Sequence, residues 1–70
     1  MLELFTTSTC NKCKVLENRL HDAGIPFVKR VIDMDPEAQT DALMLGIHAV
    51  PAVRNDGKPC DIEALFQFDP

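Results

Sequence analysis

A chain of 70 residues with a net charge of −4 has room for one small domain, whose core is marginal unless something reinforces it. The acidic balance excludes a non-specific nucleic-acid binder, which needs a positive surface, and favours solubility without naming a partner. No apolar run approaches the roughly 20 residues that cross a bilayer. The stretch from Met1 to Thr9 lacks the cationic start and apolar run of a signal peptide, so a cytoplasmic protein is expected. Its three cysteines, an odd number, fit poorly with a disulfide-stapled secreted domain.

In chain order, Leu2–Thr6 is short, apolar and rich in strand formers, and reads as the first strand. Ser8 and Thr9 follow, residue types whose side chains cap free backbone N–H groups at a helix start. A helix is predicted from Asn11 to Ala23, stopped by Gly24 and Pro26. Cys13, Leu16, Leu20 and Ala23 fall within an arc of about 80° at roughly 100° per residue, with Lys14, Glu17, Asn18, His21 and Asp22 opposite.

Phe27–Asp33 is predicted as the second strand, at a sheet edge because Lys29 and Arg30 discourage pairing with other chains. Strand, helix and strand within about 30 residues make a right-handed βαβ unit with parallel strands. Asp35 caps a second helix that begins at Pro36 and stops at Gly46. A hairpin follows, with Asp56-Gly57 at its turn. Asp61 then caps a last helix over Ile62–Phe68, whose Phe66 and Phe68 should cover the sheet. Met34, Leu43, Met44 and Leu45 are expected in the core. The order β-α-β-α-β-β-α predicts one α/β domain over residues 1–70, a four-stranded mixed sheet flanked by three helices.

The spacing of Cys10 and Cys13 alone leaves three readings: a redox pair, half of a metal site, or two small residues that fall close together. The helical pattern makes the two sulfurs inequivalent. Cys13 belongs to the buried stripe, and Cys10 precedes it near the helix start. There the unpaired N–H groups, the positive end of the helix dipole and nearby Lys12 and Lys14 favour a thiolate, the form that attacks disulfides. A structural zinc site commonly adds a second Cys or His pair, whereas His21, His48 and Cys60 are scattered. Asp33, Asp35, Glu37 and Asp41 match no calcium loop; Asp35 and Glu37 suit a helix start. Cys60 reads first as a half-buried small residue, with a regulatory thiol or oxidative dimerisation as alternatives. His48 reads as a loop residue, with proton donation or substrate contact as its alternative role. His21 reads as a solvated one.

The element order, with Cys-x-x-Cys joining the first strand to the first helix, resembles the thioredoxin fold. "GIHAVPAV", Gly46 to Val53, is similar to the segment in which a proline after Val or Ile opens the third strand through a cis peptide bond. Pro51 matches that proline and Val50 its predecessor; without the resemblance, Pro51 would simply start a strand where no N–H is needed. The resemblance covers nearly the whole chain. It is nearest to glutaredoxins and to the small glutaredoxin-like redoxins that donate electrons to ribonucleotide reductase.

It implies a dithiol–disulfide oxidoreductase in which Cys10 attacks a target disulfide and Cys13 resolves the mixed disulfide. Thr9, Asn11, Lys12, Val50 and Pro51 would contact the substrate, Val50 offering its backbone to an extended segment. Asn11-Lys12 stands where glutaredoxins carry Pro-Tyr. Thr7 stands where they carry a glutathione-contacting lysine, and "KPCDIE" replaces their Gly-Gly pair and acidic residues, keeping Asp61. Thioredoxin's Trp before the motif is absent too. The implied partners are protein disulfides, with a flavin-dependent disulfide reductase preferred over glutathione as reductant. The reading calls for no cofactor, nucleic acid or membrane, and expects a monomer. The alternatives are a glutathione-dependent glutaredoxin, a metal or iron–sulfur module using Cys10 and Cys13, and an interaction domain with an idle pair.

Overall fold

The structure, a computed structural model, describes residues 1–47 and 49–62. Its elements are β1 (Leu2–Thr6), α1 (Asn11–Asp22), β2 (Phe27–Val31), α2 (Pro36–Met44), β3 (Ala52–Asn55) and β4 (Lys58–Cys60). The strands form one mixed sheet in the order β2-β1-β3-β4. β1 runs parallel to β2, with Thr6 opposite Val31, and antiparallel to β3, with Leu4 opposite Val53. Among the described residues no helix is long and apolar enough to cross a membrane.

Alternation along β1 divides the sheet into two unlike faces. Leu2 and Leu4 join Leu16 and Leu20 of α1 and Val53 of β3 in the hydrophobic core, with Ile25, Phe27, Cys60 and Ile62 packed against it. Both helices end in the same way. Gly24 and Gly46 adopt left-handed backbones with φ of 71° and 70°. Behind them Ile25 donates to Leu20 O and Ile47 to Ala42 O, each at 2.9 Å, closing the last carbonyls of the helices. Asp35 caps α2 by accepting the Glu37 N–H at 3.0 Å. The β3–β4 turn at Asp56-Gly57 has positive φ at both positions, the geometry whose twist matches a tight hairpin.

Several expectations are corrected. β2 stops at Val31 instead of Asp33. Ile32 N–H still reaches Thr6 O at 2.8 Å, and then Met34 and Asp35 both turn back onto Val31 O. Ala23 is exposed, because α1 ends at Asp22 and Ala23 is the cap. Met34, Leu43 and Met44 are 73%, 77% and 84% exposed. α2 presents only Ala38 and Ala42 as fully buried residues, and Leu43 and Met44 lie about 140° and 240° around the helix from Ala38. Leu45 is half-buried. Two helices lie among the described residues; the last helix, with Phe66 and Phe68, is an expectation that lies outside them.

What the second face of the sheet carries is a charged network. Glu3 of β1 accepts two hydrogen bonds from Arg54 of β3, at 2.6 and 2.7 Å, and one from Arg30 of β2 at 2.5 Å. Arg30 also donates to Asp41 of α2 at 2.9 Å. Both guanidinium groups lie over the buried Phe5 ring, 5.5 and 5.3 Å from its centroid, a favourable cation–π distance. Arg30 therefore faces inward, and only its neighbour Lys29 plays the exposed edge role.

Hydrogen bonds from Arg54, with the one from Arg30, outweigh desolvation and hold the Glu3 carboxyl below its ordinary range. Glu3→Ala is expected to cost on the order of 2 kcal/mol, since charged hydrogen bonds are lost and two guanidinium groups lose their shared acceptor. Because the native state keeps Glu3 ionised more firmly than the unfolded chain does, its contribution is complete above the reference value of 4.5. It disappears as pH falls through the lowered native value. Urea unfolding at neutral and acid pH checks both points, and Glu3→Gln should flatten the acid limb of the stability profile.

Candidate active site

β1 delivers the chain to the start of α1 through Thr7, Ser8 and Thr9. Cys10 has an extended backbone, φ −89° and ψ 109°, and is itself the helix cap. Its Sγ accepts the Cys13 N–H at 3.1 Å, where Ser8 or Thr9 was expected to supply the cap. The sulfur thus satisfies one of the four N–H groups that a helix start leaves unpaired. The first turn of α1 has no acidic side chain to offset the positive end of the helix.

Cys10 and Cys13 are joined as a disulfide with a Cα–Cα distance of 5.3 Å. Cys13 has no exposed surface, whereas Cys10 is half-buried. The inequivalence read from the helical pattern is present in the fold.

The loop before Cys10 is tied to the end of β2. The Asp33 carboxylate accepts the Ser8 N–H at 3.0 Å and the Ser8 hydroxyl at 2.5 Å. These bonds, the hydroxyl's first, hold Asp33 below the usual carboxylate range. Sequence analysis puts Asp33 at the end of the second strand and does not predict this pairing with Ser8. Its signal was available in kind, since parallel β1 and β2 bring their C-terminal ends together.

Thr9, Asn11 and Lys12 are exposed around Cys10. Val50–Pro51 is a cis peptide, and it leads into β3 beside β1. Pro51 and Lys12 border one cavity of about 360 Å³ together with Val15, Leu16, Arg19 and Ile62. Val50 borders another, of about 240 Å³, with Thr7, Ile32, Ile47 and Ala49. The fold thus brings the predicted contact residues to the same end of the sheet as the cysteines. His48 lies outside the described residues.

Cys60 is a half-buried free thiol whose Sγ donates to Asp61 O at 3.6 Å. It sits opposite Val53 in the β3–β4 ladder. Among the described residues no group of three or more His, Cys, Asp or Glu is placed to hold a metal ion.

A mixed sheet of this order, with a cysteine pair at the first helix and a cis proline before the third strand, defines a thioredoxin-fold dithiol protein. The glutaredoxin family pattern matches residues 2–59, and the chain belongs to the glutaredoxin family. With its Cys-x-x-Cys pair it is a thiol–disulfide oxidoreductase.

Solved structures agree on the fold. The thioredoxin-like protein BC3987 is 22% identical with a TM-score of 0.84, over 96% of this chain and 97% of that one. The glutaredoxin-like NrdH-redoxin from Escherichia coli is 18% identical with a TM-score of 0.79, over 99% and 95%. A buckwheat glutaredoxin in complex with glutathione is 20% identical with a TM-score of 0.72, over 94% of this chain and 64% of that one. No curated protein sequence matches the chain significantly.

Asp33→Ala removes both acceptors of Ser8 and should speed hydrogen exchange of the Ser8 amide by about tenfold. Asp33→Asn keeps an acceptor and should restore most of the protection. Exchange measured by NMR on the oxidised protein checks both variants.

Proposed function

We propose that the chain is a small redoxin that reduces disulfides of other proteins, with Cys10 as the attacking sulfur and Cys13 as the resolving one. The observation that carries this reading is the Cys13 N–H directed at Cys10 Sγ at 3.1 Å, with Cys13 buried behind it. After reduction, the same N–H and the positive helix end favour a thiolate at Cys10.

That thiolate bonds to one sulfur of the target disulfide, and the other target sulfur departs with the electron pair and takes up a proton. Cys13 then loses its proton and attacks Cys10 Sγ. The Cys10–Cys13 bond re-forms and the second target sulfur leaves as a thiol. The target gains two electrons and two protons, which the dithiol gives up. Thr9, Asn11, Lys12, Val50 and Pro51 form the contact surface for the target, Val50 through backbone groups that an extended segment can pair with.

The reductant in this reading is a flavin-dependent disulfide reductase of the thioredoxin-reductase kind, in a reducing cytoplasm, acting on a monomer that is one domain over residues 1–70. Support comes from Thr7, Asn11-Lys12 and Lys58-Pro59-Cys60 in place of the residues a glutaredoxin uses for glutathione. The E. coli redoxin of similar fold is described as having a thioredoxin-like activity profile. Glutathione is the second candidate, because the buckwheat neighbour binds it.

Cys10→Ser should abolish disulfide reduction. Cys13→Ser should still attack and accumulate a mixed disulfide with the target, visible by non-reducing electrophoresis and mass spectrometry. If Cys13→Ala traps no adduct while Cys10→Ala does, the two roles are reversed. In coupled assays, NADPH consumption through thioredoxin reductase should exceed that through glutathione and glutathione reductase by about tenfold or more. The opposite ranking would assign glutathione as the reductant.

A further inference from the structure

The register of the sheet brings two segments together at the cysteine end. Thr6 and Val31 are the last paired residues of the parallel strands β1 and β2, and Ser8 and Asp33 each stand two residues beyond that pair. There the Asp33 carboxylate accepts both the backbone N–H and the hydroxyl of Ser8, at 3.0 and 2.5 Å. Asp33 is fixed from its own side as well. Met34 and Asp35 turn back to donate to Val31 O at 3.2 and 2.9 Å, and Asp35 caps α2.

Ser8 in turn belongs to the turn that delivers Cys10 to α1. Cys10 N–H reaches Thr7 O at 3.4 Å, so Ser8 and Thr9 are the two central residues of that turn. The closing bond is long for an N–H···O contact, and the turn draws added restraint from Asp33. The restraint matters because Cys10 must keep an extended backbone, φ −89° and ψ 109°, while its Sγ accepts the Cys13 N–H. In the oxidised protein the Cys10–Cys13 bond also restrains the cysteine. Once that bond opens, the turn and its anchor take over the task.

We propose that Asp33 is a positioning residue for disulfide exchange: by holding both donors of Ser8 it keeps Cys10 seated at the start of α1 after reduction, so that the attacking sulfur stays on the Cys13 N–H. The proposal deepens the dithiol reading and rests on Cys10 as the attacking sulfur. Asp33 acts through Ser8 in two ways of opposite sign. Its hold on the turn favours a thiolate at Cys10, the form that attacks, whereas its negative charge alone disfavours one. Asp33→Asn and Asp33→Ala separate the two. Both side chains are neutral, and only Asn keeps an acceptor oxygen for Ser8. Lys12 and Lys14 on α1 are the same in both, so the difference between the variants reads the tie.

The test is alkylation of the reduced full chain by iodoacetamide across a range of pH, with the rate at Cys10 followed by peptide mass spectrometry, separately from Cys13 and Cys60. The Cys10 profile should lie about half a pH unit lower in Asp33→Asn than in Asp33→Ala, which is about threefold in rate on its acid limb. Ser8→Ala keeps the charge and loses the hydroxyl donor, and should react more slowly at Cys10 than the natural protein on the same limb. It carries the test if Asp33→Ala does not fold. A merely structural role would lower stability without separating the profiles. Coincident profiles for the Asn and Ala variants, or a Ser8→Ala profile equal to that of the natural protein, would overturn the positioning role in a protein that still reduces a target disulfide. If the natural protein reduces no target disulfide, the dithiol reading falls and the proposal falls with it.

Discussion

The Glu3 carboxylate is the point on which the rest of this structure hangs. It sits on the central strand and takes hydrogen bonds from the strands on both sides, Arg54 of β3 and Arg30 of β2. Arg30 extends the link to Asp41 of α2. The three strands joined in this way are the three whose ends build the site. β1 leads to Cys10, β2 ends just before Asp33, and β3 begins just after Pro51. A network that fixes the relative positions of these strands also fixes the loops they carry, which is how a scaffold of this size holds a site in place.

The network also explains an unusual distribution of apolar residues. A small domain has too little core to cover both faces of a sheet generously. Here the α1 face receives the leucines, and the other face is closed by Phe5 beneath two arginines. With that face covered by guanidinium groups and the alanines of α2, Leu43 and Met44 have no core to enter and remain on the surface. Arginine suits this role because its planar group can stack on an aromatic ring while its edges hold carboxylates.

The chemistry at Cys10 draws mainly on backbone. A main-chain N–H meets the sulfur, and the helix start supplies the positive end. Side chains act one step removed, Asp33 by holding Ser8 and through it the loop that precedes the sulfur.

Much of this was legible in the sequence, where local rules apply. The strand at Leu2–Thr6, the Pro36 helix start, the glycine stops and the Asp56-Gly57 turn all follow from residue types that act within a few positions of themselves. The inequivalence of Cys10 and Cys13 followed from helical periodicity. What local rules could not give were relations between distant positions. That Arg30 and Arg54 would converge on Glu3 depends on strand order and register, and nothing within a few residues of Arg30 distinguishes an inward arginine from a solvated one. The same holds for Ser8 and Asp33, which are 25 positions apart. Met34, Leu43 and Met44 were misplaced because hydrophobicity alone does not say which way a short helix faces. The sequence by itself determined the elements and the reacting pair, because capping, turning and periodicity are local. Only the tertiary structure decided the charged network and the tie that steadies the cysteine loop, because those arise when separate strands are laid side by side.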